Sequence, residues 1–135
     1  MEVFQSKVLK LPGTDYKEVY GKARLIFLQI KKKSKRKPYV RSAYFKKEKV
    51  FLDYYWEHLH SKNERDRWRR LKYYSCALDL IKNSKMEPFT TQHPNRRKES
   101  LHRFFGRTQL GEEFVVQISQ NKNSNKKYFL SVFPK

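Results

Sequence analysis

The chain has 135 residues and a formal net charge of +19 at pH 7, because 32 lysines and arginines outnumber 13 acidic residues. Tyr, Phe and Trp supply 16% of the residues, and the apolar content of 38% excludes a disordered tail. A small domain with this charge repels itself unless a polyanion binds, and exposed aromatic rings stack on unpaired bases. The composition therefore favours nucleic acid, and RNA more than duplex DNA, as the partner.

The sequence also constrains the cellular compartment. The single cysteine, Cys76, cannot form an internal disulfide and lies in a predicted helix, where we expect a buried, inert thiol. Residues 1–12 lack the apolar stretch of a signal peptide, and the longest apolar run, Leu25–Leu28, is too short to span a bilayer. We therefore expect a cytoplasmic protein with no membrane partner.

Residues 1–38 are predicted to form a helix followed by a basic linker. Asp15 begins a capping-box spacing, and apolar residues recur at helical intervals after it, which predicts a helix over about 15–32. The alternative prediction for residues 25–30 is a β-strand. The tract 31–37, which holds six cations and one serine, is predicted to be a linker that either contacts phosphate or is simply solvated.

Residues 39–135 are predicted to form an α+β domain that makes one compact unit with the preceding segment. Short apolar runs at Tyr39–Phe45 and Val50–Leu52 flank a polar turn, which predicts a β-hairpin. Asp53 is then predicted to cap a short helix. A second helix is predicted from about Glu64 to Asn83, and a polar, basic loop follows it.

Two basic regions of this domain lie outside the predicted sheet. One is a row of cations at i, i+4 and i+7 on a face of the second helix, which either binds phosphate or is an ordinary solvated helix face. The other is the polar loop at 85–100. The predicted phosphate contacts in these two regions are Arg65, Arg69, Lys72, Arg96 and Arg97.

Three antiparallel strands at 101–108, 113–120 and 127–133 end the chain, since short links join them. The predicted fold class is α+β, with helices packed on one face of a twisted antiparallel sheet. Side-chain alternation predicts that the other face collects cations, polar groups and rings. These residues are Arg103, Phe105, Arg107, Gln117, Lys127, Phe129 and Ser131. Such a mixture is typical of an RNA-binding surface.

The sequence lacks the common motifs that bind phosphate groups or metal ions. It contains no Gly-rich phosphate loop, no CxxC pair and no HExxH. His58 and His60 are two residues apart on a predicted helix, so they face apart and do not clamp one zinc ion. Carboxylates are few and scattered, whereas a two-metal nuclease needs several converging acids. We therefore expect no metal and no cofactor, and a metal-free route if nucleic acid is cut.

Metal-free RNA cleavage needs a base for the ribose 2′-OH, cations for the phosphorane-like transition state and an acid for the leaving 5′-oxygen. His102 is the predicted base, since an unperturbed imidazole titrates near neutrality. Arg103 and Arg107 are the predicted phosphate clamps, because a guanidinium fork fits phosphate oxygens.

The last strand is predicted to orient the scissile phosphate. Ser131 is the predicted contact, with Tyr128 or Lys127 beside it. Strict alternation places His102 across the sheet from Arg103 and Ser131. A β-bulge, or a strand that begins after His102, would bring them together.

The order of a hairpin, two helices and a C-terminal antiparallel meander resembles the barnase–EndoU–colicin–RelE-like nuclease fold. The segments His102–Thr108, Phe114–Ile118 and Tyr128–Pro134 are similar to those of mobile-element-associated members. The resemblance covers roughly residues 41–135 and is strongest from 101 onward. It implies that the domain 39–135 is nuclease-like, with a RelE/colicin-nuclease-like arrangement of sheet and helices.

This resemblance also implies a function. Members are metal-independent endoribonucleases, often toxins that act on tRNA or on messenger RNA at the ribosome, and an acidic antitoxin or immunity protein often neutralises them. Carried over by position, His102 would be the catalytic base or acid, Arg107 the transition-state clamp and Ser131 a polar contact of the last strand. Two alternatives stay open: a non-catalytic RNA- or DNA-binding accessory protein, and a basic module that binds an acidic protein.

Overall fold

A mixed β-sheet of seven strands, flanked by four helices, forms the fold of residues 2–135, which the computed structural model describes. In chain order the elements are β1 (Phe4–Gln5), α1 (Tyr16–Lys33), β2 (Tyr39–Arg41), β3 (Lys49–Phe51), α2 (Asp53–His60), α3 (Glu64–Leu71), α4 (Tyr74–Asn83), β4 (Phe89–Gln92), β5 (Glu99–Arg107), β6 (Glu113–Asn121) and β7 (Lys127–Pro134). The strand order is β1-β5-β6-β7-β3-β2, and β4 also pairs with β5. The α+β class is confirmed, but the sheet is mixed, because β1–β5 and β3–β7 are parallel.

The first helix forms as predicted. The Asp15 carboxylate caps α1 by accepting a hydrogen bond, 2.9 Å long, from the backbone N–H three residues on. Val19, Ala23 and Phe27 recur every four residues, are buried, and belong to one hydrophobic core with the sheet. The alternative of a strand over residues 25–30 is therefore wrong.

Two helix boundaries differ from the prediction. Leu52, rather than Asp53, occupies the N-cap position of α2, and Asp53 lies in the first turn, where its charge favours the helix dipole. The second predicted helix is two helices, since α3 ends at Leu71 and α4 begins at Tyr74. Only Leu71 of α3 is buried, whereas α4 buries six residues. The turn between them thus lets α4 enter the core while α3 stays at the surface.

The predicted loop 85–100 contains a strand. β4 pairs antiparallel with β5, with Thr90 opposite His102, and the unpredicted β1 pairs parallel with the far end of the same edge, with Phe4 opposite Gly106. Both strands cover backbone groups that an exposed edge would leave unpaired. β1 has two residues and β4 has four, and strands this short show no alternation of apolar and polar residues in the sequence.

The predicted hairpin is confirmed, with shorter strands. β2 and β3 pair antiparallel around a turn in which Lys46 and Lys47 have φ angles of 55° and 67°. β3 also pairs in parallel with β7, and this places Phe51 opposite Tyr128. The hairpin is thus attached to the main sheet, and its aromatic side chains lie beside those of β7.

A bulge in β7 changes the faces on which its side chains lie. Ser131 pairs with Gln117, but the next pair along β6 joins Ile118 to Phe129, so Leu130 is the extra residue. Phe129 therefore lies on the face that contacts α2 and α4, where it stacks on Tyr55 at 4.6 Å. Ser131 lies on the opposite face, which we call the outer face.

The structure bears on two expectations, that Cys76 is buried and that no segment spans a membrane. Cys76 is buried, its thiol donates to the Val8 carbonyl at 3.4 Å, and burial raises its pKa to about 11, so the expected inert thiol is confirmed. Within residues 2–135, every helix is too short or too polar to cross a lipid bilayer.

Candidate nucleic-acid interface

His102 is buried on the helix side of the sheet, and both of its ring nitrogens have partners. Nδ1 lies 2.8 Å from Thr90 Oγ1, and Nε2 lies 2.8 Å from Gln120 Oε1. Because Oε1 only accepts, Nε2 donates to it, whereas the Thr90 hydroxyl can either donate to Nδ1 or accept from it. Burial lowers the pKa of His102, the Gln120 hydrogen bond raises it, and the Lys127 cation lowers it further. The ring is a structural member of the fold and has no free nitrogen for a substrate.

The predicted catalytic set is therefore not assembled. Arg103, Gln117 and Ser131 form a row across the outer face, and the Ser131 hydroxyl donates to Gln117 Oε1 at 2.9 Å. Arg107 lies on the same face, four residues along β5 from Arg103, and its guanidinium is 3.9 Å from the Glu113 carboxylate. His102 is on the opposite face, because β5 has no bulge that would reorient it.

Lys127 also lies away from the outer face, contrary to the prediction. It is 3% exposed, and its ammonium contacts Glu48 at 2.8 Å and the Asn125 carbonyl at 3.0 Å. Its ammonium also lies 5.0 Å from the centre of the Phe45 ring. The bulge at Leu130 is the cause, since it moves both Lys127 and Phe129 to the covered side of the sheet. Lys127 therefore stabilises the hairpin turn and is not placed to contact nucleic acid.

The other predicted phosphate contacts are spread over the surface. Arg65 and Arg69 are exposed on α3, while the Lys72 ammonium lies 4.3 Å from the centre of the Trp68 ring. Arg97 is exposed in the turn that connects β4 and β5. Phe105 lies on the outer face with Arg103, as predicted, and the Lys135 ammonium covers its ring at 5.5 Å.

Six cations surround a groove of about 750 Å³ at the end of α1. We call it the basic groove. Its charged lining consists of Lys33, Lys35, Arg36, Lys37, Lys49 and Lys126. No acidic side chain lines it, and none of the six cations forms an ion pair within residues 2–135. Residues 33–37 of the basic tract thus form one wall of this groove.

Four aromatic rings run from this groove across β2, β3 and β7 to α2, and we call them the aromatic ladder. Tyr39 and Phe51 are 6.4 Å apart, Phe51 and Tyr128 are 5.9 Å apart, and Tyr128 and Tyr54 are 5.3 Å apart. The register produces this spacing, because the first three residues are cross-strand neighbours in β2, β3 and β7. The Lys49 ammonium lies 4.7 Å from the Tyr39 ring centre, so cations and rings are interleaved.

A second cavity, of about 460 Å³, adjoins the far end of the ladder, and we call it the cleft. It lies on the outer face between α2 and the turn after β4. Tyr54 and Tyr128 line it, together with Glu57, His58, His93, Arg96, Glu99 and Ser119. Within residues 2–135, no group of three His, Cys, Asp or Glu side chains is arranged to hold a metal ion.

The two histidines of the cleft differ in their surroundings. His93 Nδ1 accepts the backbone N–H of Asn95 at 3.1 Å, so it carries no proton and the ring presents its Nε2–H. Burial, followed by the cations of Lys62 and Arg70, lowers the pKa of the half-buried His58 below its ordinary value.

Two other polar groups define the chemistry of the cleft. Arg96 lies 3.4 Å from Glu99, and a hydrogen bond to Tyr54, followed by the Glu99 charge, raises the pKa of its guanidinium. Ser119 is 5% exposed, and its hydroxyl has no hydrogen-bond partner within residues 2–135. A buried hydroxyl without a partner at the wall of a cavity is available to a ligand.

Most of these residues were not among the predicted site residues. The sequence predicts Tyr128 and Arg96 as nucleic-acid contacts, whereas it places Tyr39 and Phe51 only in a hairpin and assigns no role to Tyr54. His58 was considered only as a metal ligand. The pairing of β3 with β7 joins residues that are 77 positions apart, such as Phe51 and Tyr128, so no local pattern marks the ladder.

Comparison with known proteins gives no match: no family model, no curated protein and no solved structure is significantly similar to the chain. The charges, rings and cavities of this surface are therefore the grounds for a functional proposal.

Proposed function

We propose that this protein binds single-stranded RNA, with phosphates in the basic groove and bases stacked on the aromatic ladder. The observation that carries the proposal is the shared lining of the basic groove, where six cations without ion pairs lie beside three of the four rings of the ladder. Cations attract the backbone, and aromatic rings offer faces to bases.

The ladder favours an unpaired strand over a duplex. Base faces are hidden inside a double helix, so rings that stack on bases serve only single-stranded segments. Each stacked base contributes about 1–3 kcal/mol, and this contribution depends little on sequence. An acidic protein, which is the alternative partner, would use the cations but would have no flat bases for the rings.

Metal-free cleavage of the bound RNA remains a hypothesis beside this proposal, as does membership of the barnase–EndoU–colicin–RelE-like superfamily with a RelE-like fold. The predicted base, His102, is buried with both nitrogens occupied, so it does not support cleavage. Incubation of the protein with labelled RNA in chelator, followed by analysis of the product ends, tests it. Cyclic phosphate ends would establish attack by the 2′-OH.

The binding proposal is tested by fluorescence anisotropy with a labelled 12-nucleotide oligouridine, U12. We expect tighter binding of U12 than of a 12-base-pair RNA duplex or of a 12-residue polyglutamate peptide. Six phosphate contacts predict a slope of log affinity against log salt of about −4 for a single strand. Tighter binding of the duplex or of the peptide would contradict the proposal.

A charge-matched pair of variants locates the contact. Lys33→Ala with Lys49→Ala removes two cations of the groove, and we expect the salt slope to become shallower by about 1.4. Lys17→Ala with Lys82→Ala removes the same charge at exposed positions outside it. Lys17 lies sixteen residues from Lys33 on α1, which is about 24 Å along the helix axis. Equal effects of the two pairs would show non-specific attraction only.

A further inference from the structure

The cleft has a charge character opposite to that of the basic groove. Two carboxylates, Glu57 and Glu99, accompany a single guanidinium, Arg96, and two histidines, which the formal charge at pH 7 counts as neutral. The ionised groups of its lining therefore carry one excess negative charge, in a protein with a net charge of +19. A phosphate is therefore attracted less strongly to the cleft than to the groove, whereas a neutral group that donates hydrogen bonds finds acceptors in the cleft.

The position and size of the cleft fit one nucleobase of a strand bound to the ladder. Tyr54 and Tyr128 belong both to the ladder and to the wall of the cleft. A volume of about 460 Å³ is within the range of small-ligand sites. The base that follows the last stacked base can therefore turn from the ladder into the cleft.

The polar groups of the cleft select among the bases. Glu57 has no ion pair or hydrogen bond within residues 2–135, so its carboxylate is free to accept. Arg96 and the Nε2–H of His93 are donors, and Ser119 supplies a hydroxyl without a partner. Guanine alone among the RNA bases offers adjacent N–H donors at N1 and N2 together with adjacent acceptors at O6 and N7.

We propose that the cleft binds a guanine base of single-stranded RNA. The Glu57 carboxylate accepts hydrogen bonds from guanine N1–H and N2–H, and Arg96 donates to the O6 side of the base. This inference rests on the proposed function, because the ladder must first hold the strand. It adds sequence preference to a surface that otherwise contacts only backbone and ring faces.

The test compares U12 with the same oligonucleotide carrying one central guanosine, by anisotropy at fixed salt. We expect the guanosine to tighten binding roughly 10-fold, as for a good bidentate base contact. Glu57→Gln should remove most of this preference and leave the affinity for U12 nearly unchanged. Glu87→Gln changes the charge equally at an exposed position outside the cleft, and the preference should survive it. Inosine, which lacks the N2 amino group, should bind less tightly than guanosine.

The outcomes separate this inference from the proposal on which it rests. Equal binding of the two oligonucleotides, with both bound tightly, would overturn the guanine site and leave single-strand binding intact. A guanosine preference that persists in Glu57→Gln would also overturn the site. Absence of binding to either oligonucleotide would overturn single-strand binding itself. Because Glu57 is exposed on α2, its replacement should not unfold the protein, which circular dichroism checks.

Discussion

The rings of Tyr54 and Tyr128 lie 5.3 Å apart at an interplanar angle of 58°, and their contact joins the basic groove to the cleft. Tyr128 lines both cavities, whereas Tyr54 comes from the first turn of α2. Tyr128 therefore borders two cavities of different charge. The basic groove has six cations and no acid, whereas the charged side chains of the cleft are two carboxylates and one guanidinium. In the proposed complex, the phosphates and the guanine base would therefore lie on different sides of the Tyr128 ring.

The outer end of the ladder provides the clearest test of stacking. Tyr39→Ala removes the ring under the Lys49 ammonium, and we expect the affinity for U12 to fall at least 5-fold, the lower limit for loss of one stacked base. Phe89→Ala is the matched control, because Phe89 is an exposed ring on β4 outside the groove. Anisotropy titrations of both variants provide the measurement. A similar loss in the control would indicate a general effect of exposed rings.

His102 makes folding stability depend on pH. Burial lowers its pKa in the folded state relative to the unfolded chain, so the unfolded state binds more protons in mildly acidic solution. The contribution of the neutral His102 ring to the free energy of unfolding should therefore be fully present above about pH 6.5. It should decrease as the pH falls from there through the lowered pKa of the folded state. His102→Gln should flatten this dependence, although the lowered pKa of His58 leaves a residual slope. Urea unfolding between pH 7.5 and pH 5 measures it.

The same variant separates a structural role of His102 from a catalytic one. Loss of its hydrogen bonds to Thr90 and Gln120 should cost about 1–3 kcal/mol of unfolding free energy at pH 7.5. The affinity of the folded variant for U12 should stay unchanged, because the ring does not line the groove. A metal-free RNA cleavage that vanished in His102→Gln while stability was preserved would contradict the structural role.

The strands that follow the hydrophobic pattern were predictable, and their faces were predictable only where pairing is regular. Alternation places Arg103 and Gln117 correctly on the outer face. It fails for Lys127 and Phe129, because the single extra residue Leu130 shifts the period of β7 by one. Nothing in the local sequence marks that bulge, because its position depends on which residues of β6 pair with the two halves of β7.

The candidate site was less predictable than the fold, since it is built from non-local contacts. The sequence identifies the tract 31–37 as a possible phosphate contact, and Tyr39 and Phe51 as parts of one hairpin. Attachment of that hairpin to Tyr128 depends on a parallel pairing of two residues on each strand, which carries no sequence signature. The cleft likewise combines a helix, a turn and three strands, so its charge balance appears only after folding.

Two glycines should respond oppositely to replacement by alanine. A Cβ at Gly106 would overlap the ring of Phe114, which is fully buried and cannot move without disturbing the core, so Gly106→Ala should lose about 1–3 kcal/mol of unfolding free energy. A Cβ at Gly21 meets nothing within 4 Å on the exposed side of α1, and alanine is the better helix former. Gly21→Ala should therefore gain about 0.5–1 kcal/mol. Thermal and urea unfolding of both variants measure the difference, and a loss of stability in Gly21→Ala would show that α1 packs differently around this position.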